Sequence, residues 1–263
     1  MKKPFLNYQE TSCNHCGFNH DEMLDRCPHC LHDNDNRPLS RKNMTYLPVR
    51  KQGYLVMIGL FGLYILSFIL SMIFSRNMST LDALIFTQSL TYIITIIPLF
   101  IIVFKYLPDL FKRVKIPRNI LMGFLLGLAV IGINFGLSQL GGLAGQSGNQ
   151  STIVVLTKLY PIIMIIITCV IGPLLEETVF RLGLFNLLMR TRPWFAYLIT
   201  TLIFGLIHFD FTAPNLLIEL ANLPSYMFGG VAFAFIYHYY GFGASVIAHS
   251  VNNIFSIVLI FIL

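Results

Sequence analysis

Residues 54 to 74 contain no charged side chain and are apolar almost throughout, and this run limits the fold more than any other feature of the chain. About 20 residues of helix cross the hydrocarbon core of a bilayer. Similar runs follow at about 83 to 104, 119 to 140 and 152 to 190, in a fifth segment ending near His208, at about 223 to 240, and from the Gly241-Phe-Gly243 break onward. Only 11% of residues are charged, the mean hydropathy is +0.71, and 56% are hydrophobic. A soluble domain has roughly 25% charged residues. The expected fold class is an all-α polytopic membrane helix bundle of about seven to eight transmembrane segments with a small N-terminal zinc ribbon. The net charge of +6 sits in short basic loops, and no nucleic-acid motif accompanies it.

The first 50 residues form a separate polar unit, without the apolar core and small-residue cleavage site of a signal peptide. The first apolar span is therefore expected to direct insertion. Cys13-Asn-His-Cys16 and Cys27-Pro-His-Cys30 are two C-x2-C pairs, spaced so that four thiolates can reach one tetrahedral zinc. A peptide this small needs such a staple to fold. Two disulfides are the alternative and would need an oxidising compartment. With four cysteines available, His15, His20, His29 and His32 read as solvated. The domain reading is ribbon at 1–32, basic linker at 33–52, N-terminal transmembrane helices at 53–151 and core at 152–263. Gly123 and Gly127 form a G-x-x-x-G, which reads as close helix packing.

Orientation follows from positive charge. The N-terminal segment, the 105 to 118 loop and the Arg190/Arg192 turn are basic, while the alternating loops hold only Arg76. The expectation is a multi-pass cell-membrane protein with a cytoplasmic N-terminus. The 152 to 190 segment, with Gly172-Pro173 inside it, could be one kinked helix or two. Residues 209 to 222 read as a loop or a partly re-entrant stretch.

Ionisable groups at membrane depth are costly, so they point to function. Glu176 and Glu177 are adjacent, and Arg181 lies one turn beyond Glu177 on the same face. Glu177 and Arg181 read as a structural ion pair that leaves Glu176 free. Phe204-Gly-Leu-Ile-His208 and His249-Ser-Val-Asn-Asn253 put further polar groups on apolar helices. Singly, each would be an ordinary interhelical hydrogen-bonding group. Asn252 reads as packing beside the site, His238 as interfacial among tyrosines, and Cys169 as a small core residue.

In order and form the three stretches are EExxxR, FxxxH and HxxxN. Over roughly residues 155 to 263 the chain thus resembles the CPBP family, the CAAX-protease and bacteriocin-processing membrane proteases also called Abi proteins. The resemblance implies hydrolysis of a peptide bond in a membrane-associated or prenylated substrate, with Glu176 as general base for a water. It implies that His208 orients or polarises this water, and that His249 and Asn253 complete the site, Asn253 as an oxyanion donor. A carboxylate removed from water is a better base, and a fixed amide donor stabilises developing charge. A catalytic zinc on Glu176, His208 and His249 is also conceivable and less favoured. No H-E-x-x-H pair is present to decide it. The alternative from another class is a catalytically silent scaffold or chaperone, with the ribbon docking a cytosolic partner. A transporter would show paired broken helices, of which the sequence offers one.

Overall fold

The computed structural model of the chain describes residues 10–34, 43–112, 117–142 and 145–262. Residues 35 to 42 of the basic linker, together with Arg113 and Lys115 of the basic loop, lie outside them. Strands β1 (Glu10–Ser12) and β2 (Asn19–Asp21) pair antiparallel, Thr11 opposite His20. The first cysteine knuckle makes the turn between them. Gly17 completes it at φ +70°, a conformation glycine adopts without steric cost.

Eight helices follow among the described residues: α1 (Val49–Phe74), α2 (Thr80–Phe111), α3 (Pro117–Gly142), α4 (Gly148–Leu159), α5 (Pro161–Met189), α6 (Pro193–Leu206), α7 (Leu216–Tyr240) and α8 (Phe242–Ile262). Their ends are chemically marked. Ser79, Ser147 and Asn215 accept from the backbone N–H of Asp82, Gln150 and Leu217, which caps α2, α4 and α7. Pro161 and Pro193 open α5 and α6, and Gly241 at φ +90° ends α7. Six of the helices are long and apolar enough to cross a membrane. Helix α6 is a seventh apolar helix of 14 residues. The chain is a multi-pass, all-α membrane bundle with a four-cysteine unit at its N-terminus.

Helix α5 is the centre of the bundle. In its most apolar window 56% of residues are buried inside the protein, against 11–22% for the other five spans. Two stretches of wider π turn, Ile167–Ile171 and Thr178–Phe185, bracket Gly172–Glu177 within it. Such insertions re-aim side chains and cluster at functional sites. Helix α3 lies on α8 through the expected glycines. A Cβ at Gly123 would meet the Ala244 carbonyl oxygen at 2.7 Å, and one at Gly127 would meet that of Ala248 at 2.9 Å.

Three sequence expectations change. The break in the 152 to 190 segment falls at Tyr160-Pro161, not at Gly172-Pro173; a proline at the start of α5 costs no hydrogen bond. Helix α7 begins at Leu216 rather than near 223, because Glu219 is buried and accepts from the N–H groups of Gly148 and Asp210. His20 is buried rather than solvated, its Nδ1 near the Asp21 carbonyl oxygen.

The cysteine unit sits against the bundle at the end where α1 begins and α5 stops. Arg190 Nη1 lies 2.7 Å from Asp21 Oδ2, a charge contact rather than an aligned hydrogen bond, with both side chains buried. Arg26 reaches Asp109 of α2 at 3.0 Å. Met44, Tyr46 and Leu47, at the end of the linker, are buried in the main core, and Tyr237 of α7 donates its hydroxyl hydrogen to the Thr45 carbonyl. Asp21→Ala is expected to cost about 3 kcal/mol or more, because it strands a buried guanidinium. Asp21→Ala together with Arg190→Met should recover part of that loss. Melting temperatures in detergent compare the two.

Candidate active site

The two adjacent glutamates point in different directions, and α5 gives them different partners. Glu177 and Arg181 are both fully buried, one turn apart, with Arg181 Nε donating to Glu177 Oε2 at 2.9 Å. The same carboxylate accepts from Ser245 Oγ and from His249 Nδ1, the latter at 3.1 Å. Ser245, His249 and Asn253 are spaced four apart along α8, so they form one stripe facing α5. Asn253 ends the stripe, donating its amide to the Thr168 carbonyl at 2.8 Å in the first π stretch of α5. The ion pair expected from the i, i+4 spacing is present, and it also carries a histidine that the spacing could not reveal.

Glu176 faces a cavity of about 940 Å3, lined among others by Tyr92, His208, Tyr226, His249 and Asn253. Its Oε1 accepts from the Tyr92 hydroxyl at 3.4 Å. Its Oε2 is buried and accepts no hydrogen bond from the described residues. His208 Nε2 stands 4.0 Å from that oxygen and His249 Nε2 3.9 Å from it. The structure thus gathers Glu176, His208 and His249, with Asn253 on the wall of the same cavity.

The tautomers follow from the other ring nitrogens. A carbonyl oxygen can only accept, so the 2.8 Å contact of His208 Nδ1 with the Phe204 carbonyl puts the proton on Nδ1. The Glu177 carboxylate, paired with Arg181, draws the proton of His249 to Nδ1 likewise. In the neutral rings both Nε2 atoms are acceptors. Three lone pairs, two from imidazoles and one from a carboxylate, therefore converge on one place, where a donor or a cation is needed to hold them together.

Aromatic packing fixes these rings. Phe204 stands edge-on to Phe180, lies under the Arg181 guanidinium at 5.3 Å, and touches both histidines. His249 stacks on Phe233 at 4.4 Å and His208 on Tyr226 at 4.8 Å. The Tyr226 hydroxyl is tied in turn to Ser147 and Asn149 at the start of α4. Tyr92, Tyr226, Ser245 and Thr168 escaped the sequence reading, because an isolated Tyr, Ser or Thr in an apolar helix carries no spacing signal.

A second cluster lies in the N-terminal unit. The Sγ atoms of Cys13, Cys16, Cys27 and Cys30 all fall within 4.8 Å of one another, with Cys13 to Cys30 at 3.6 Å and Cys16 to Cys27 at 3.7 Å. Two thiolates on one tetrahedral zinc stand about 3.8 Å apart, and a disulfide would need about 2.05 Å. The four thiols influence one another: backbone N–H groups of Cys16 and His15 lower Cys13 to about 6, while Cys16 and Cys30, despite the backbone N–H groups of Phe18 and His32, are raised by burial and neighbouring sulfurs, Cys16 to about 12. The expected histidines stay out of the cluster: His15 stacks on His32 and His29 on Phe18.

Comparison with known proteins agrees with the motifs. Residues 158–255 match the family model described as Type II CAAX prenyl endopeptidase Rce1-like. That segment holds EExxxR, FxxxH and HxxxN, and the resemblance they carry is borne out over it. The chain is similar to the protein named "Putative membrane peptidase YdiL" of Bacillus subtilis (strain 168), 36% identical over 97 residues and covering 36% of each chain. It is similar also to UPF0177 protein YvdC of Lactococcus lactis subsp. lactis (strain IL1403), 28% identical over 138 residues, 51% of this chain and 52% of that one. The chain thus spans between about a third and a half of the length of these relatives. No solved structure matches.

Glu177→Ala is expected to lower stability by about 3 to 5 kcal/mol, since it leaves Arg181 buried without a partner. Replacing Glu177 and Arg181 together by neutral residues should restore part of the melting temperature. It should not restore the setting of the His249 ring, which loses the carboxylate that its Nδ1 meets.

Proposed function

We propose that the protein is an intramembrane endopeptidase that hydrolyses a peptide bond of a membrane-associated or prenylated protein with a water activated by Glu176. One observation carries the reading: among the described residues Oε2 of Glu176 is buried without a hydrogen-bond partner, 3.9 and 4.0 Å from two imidazole nitrogens that are both acceptors. A water there can donate to Glu176 Oε2 and to one of the imidazoles, and separations of 3.9 and 4.0 Å suit hydrogen bonds of about 2.8 Å to a shared water.

In this mechanism Glu176 takes one proton of the water as its oxygen attacks the substrate carbonyl carbon. His208 aims the water by accepting its remaining hydrogen, and His249 stands beside it at the same oxygen of Glu176. The proton held by Glu176 then passes to the leaving nitrogen as the C–N bond breaks. Asn253 keeps one amide N–H on Thr168 and has a second to offer to the oxyanion. The Glu177–Arg181 pair acts through His249, holding its ring and tautomer.

Nitrogen and oxygen ligands of one tetrahedral zinc stand about 3.4 Å apart, closer than the contacts of Glu176 with His208 and His249. The four cysteines fit an ion better. In the present reading zinc is structural, held by Cys13, Cys16, Cys27 and Cys30, and the reaction runs on the carboxylate. The charge contacts of the cysteine unit put it at the same end of the bundle as Lys105 and Arg190. That common basic end supports a cytoplasmic N-terminus, where thiols stay reduced.

Two measurements test this. Purified Glu176→Gln should fold and melt like the wild type while peptide cleavage falls by at least about 1000-fold. Cleavage near the wild-type rate would sink the glutamate mechanism. Metal analysis should give one zinc per chain for wild type, Glu176→Gln and His249→Ala, and none when Cys13 and Cys16 are both serine. Loss of zinc on changing Glu176 or His249 would instead favour a catalytic ion.

A further inference from the structure

The matched segment begins at residue 158, yet one polar contact to Glu176 comes from well before it. Tyr92 lies in the middle of α2, and its hydroxyl is the protein donor to Glu176 Oε1 among the described residues, at 3.4 Å. The chain makes room for this approach. Gly172 stands four residues before Glu176, and a Cβ there would lie 3.4 Å from Tyr92 Cε1 and 3.0 Å from the Ile167 carbonyl oxygen. The phenol thus passes directly over the backbone of α5, one turn from the carboxylate it reaches. Thr91, its neighbour in α2, also lines the cavity, so this part of the second span is a wall of the site.

A carboxylate on a membrane helix can rotate about its last torsion and present either oxygen. Fixing one oxygen leaves the other to do the chemistry. We propose that Tyr92 is a positioning residue for hydrolysis: by donating to Oε1 it turns Oε2 toward His208 and His249 and keeps it there. The proposal rests on the reading of Glu176 as the base. It adds that the first three spans, outside the matched segment, complete the reaction centre rather than only anchoring it. A length of 3.4 Å is slack for a hydrogen bond, as is common before substrate closes a site. Substrate binding is the step that tightens it.

Tyr92→Phe removes the hydroxyl and keeps the ring. Steady-state cleavage of a peptide substrate by full-length protein in detergent or nanodiscs should show kcat reduced about 10- to 100-fold, KM changed by less than about twofold, and an unchanged melting temperature. Rates are to be scaled to the folded fraction, so that lost protein is not counted as lost chemistry. The same substitution made on Glu176→Gln should not reduce the residual rate further, because the group it positions is already gone. Tyr92→Phe at the wild-type rate would overturn the proposal. So would a raised KM at constant kcat, or an equal loss on the Glu176→Gln background, either of which would mean that the hydroxyl serves the substrate directly. If Glu176→Gln itself cleaves normally, the glutamate mechanism falls; if Glu176→Gln is dead and Tyr92→Phe is normal, only the present inference does.

Discussion

Everything in the bundle depends on how one buried anion is held. Glu177 is fully enclosed in a membrane-spanning helix, where an uncompensated carboxylate is not tolerable. Arg181, Ser245 and His249 share its two oxygens, which ties α5 to α8. That arrangement also separates two chemically identical neighbours. Glu177 is saturated with donors, while Glu176 has one tyrosine and an open oxygen. The 100° turn between adjacent helical residues supplies this difference, and it gives consecutive glutamates the separate surroundings that the proposed base and the structural anion require.

The sequence reveals what lies within one helix better than what lies between helices. Glu177 with Arg181 is an i, i+4 pair and was legible. The gathering of Glu176, His208 and His249, with Asn253 on the same cavity wall, was legible only through the motif order, since no helical spacing links residues on three different helices. The π stretches of α5 add to this, because they change the rise and the facing of the residues that follow them. The break at Tyr160 was missed because Gly172-Pro173 is the stronger local signal, and packing around α5 overrides it. Glu219 misled the reading of 209 to 222 for a related reason. A lone acidic residue suggests a loop, and in the folded chain it is a buried acceptor for two backbone N–H groups.

The N-terminal unit shows the same division. Its four cysteines were readable as a cluster because knuckle spacing is local. Its seat on the bundle was not, because Asp21 meets Arg190 across most of the chain and neither residue marks the other in sequence. The linker that composition describes as polar and basic ends in Met44, Tyr46 and Leu47, which are as buried as anything in the transmembrane core. The cysteine unit, this strap and the end of α5 therefore form one packed region. A change that loosens the cysteines is felt at the end of the helix that carries both glutamates.

Helix α6 has 14 residues and rises about 21 Å, whereas the hydrocarbon core of a bilayer is about 30 Å thick. A span shorter than the hydrocarbon core reaches both headgroup regions only where the bilayer thins beside it. Two residues past the end of α6 is His208, followed by the polar backbone of residues 209 to 215. Polar groups of the chain therefore follow soon after α6, beside the cavity that His208 lines. For the hydrolysis proposed above, which consumes water, a short helix beside the cavity is a structural way to admit it.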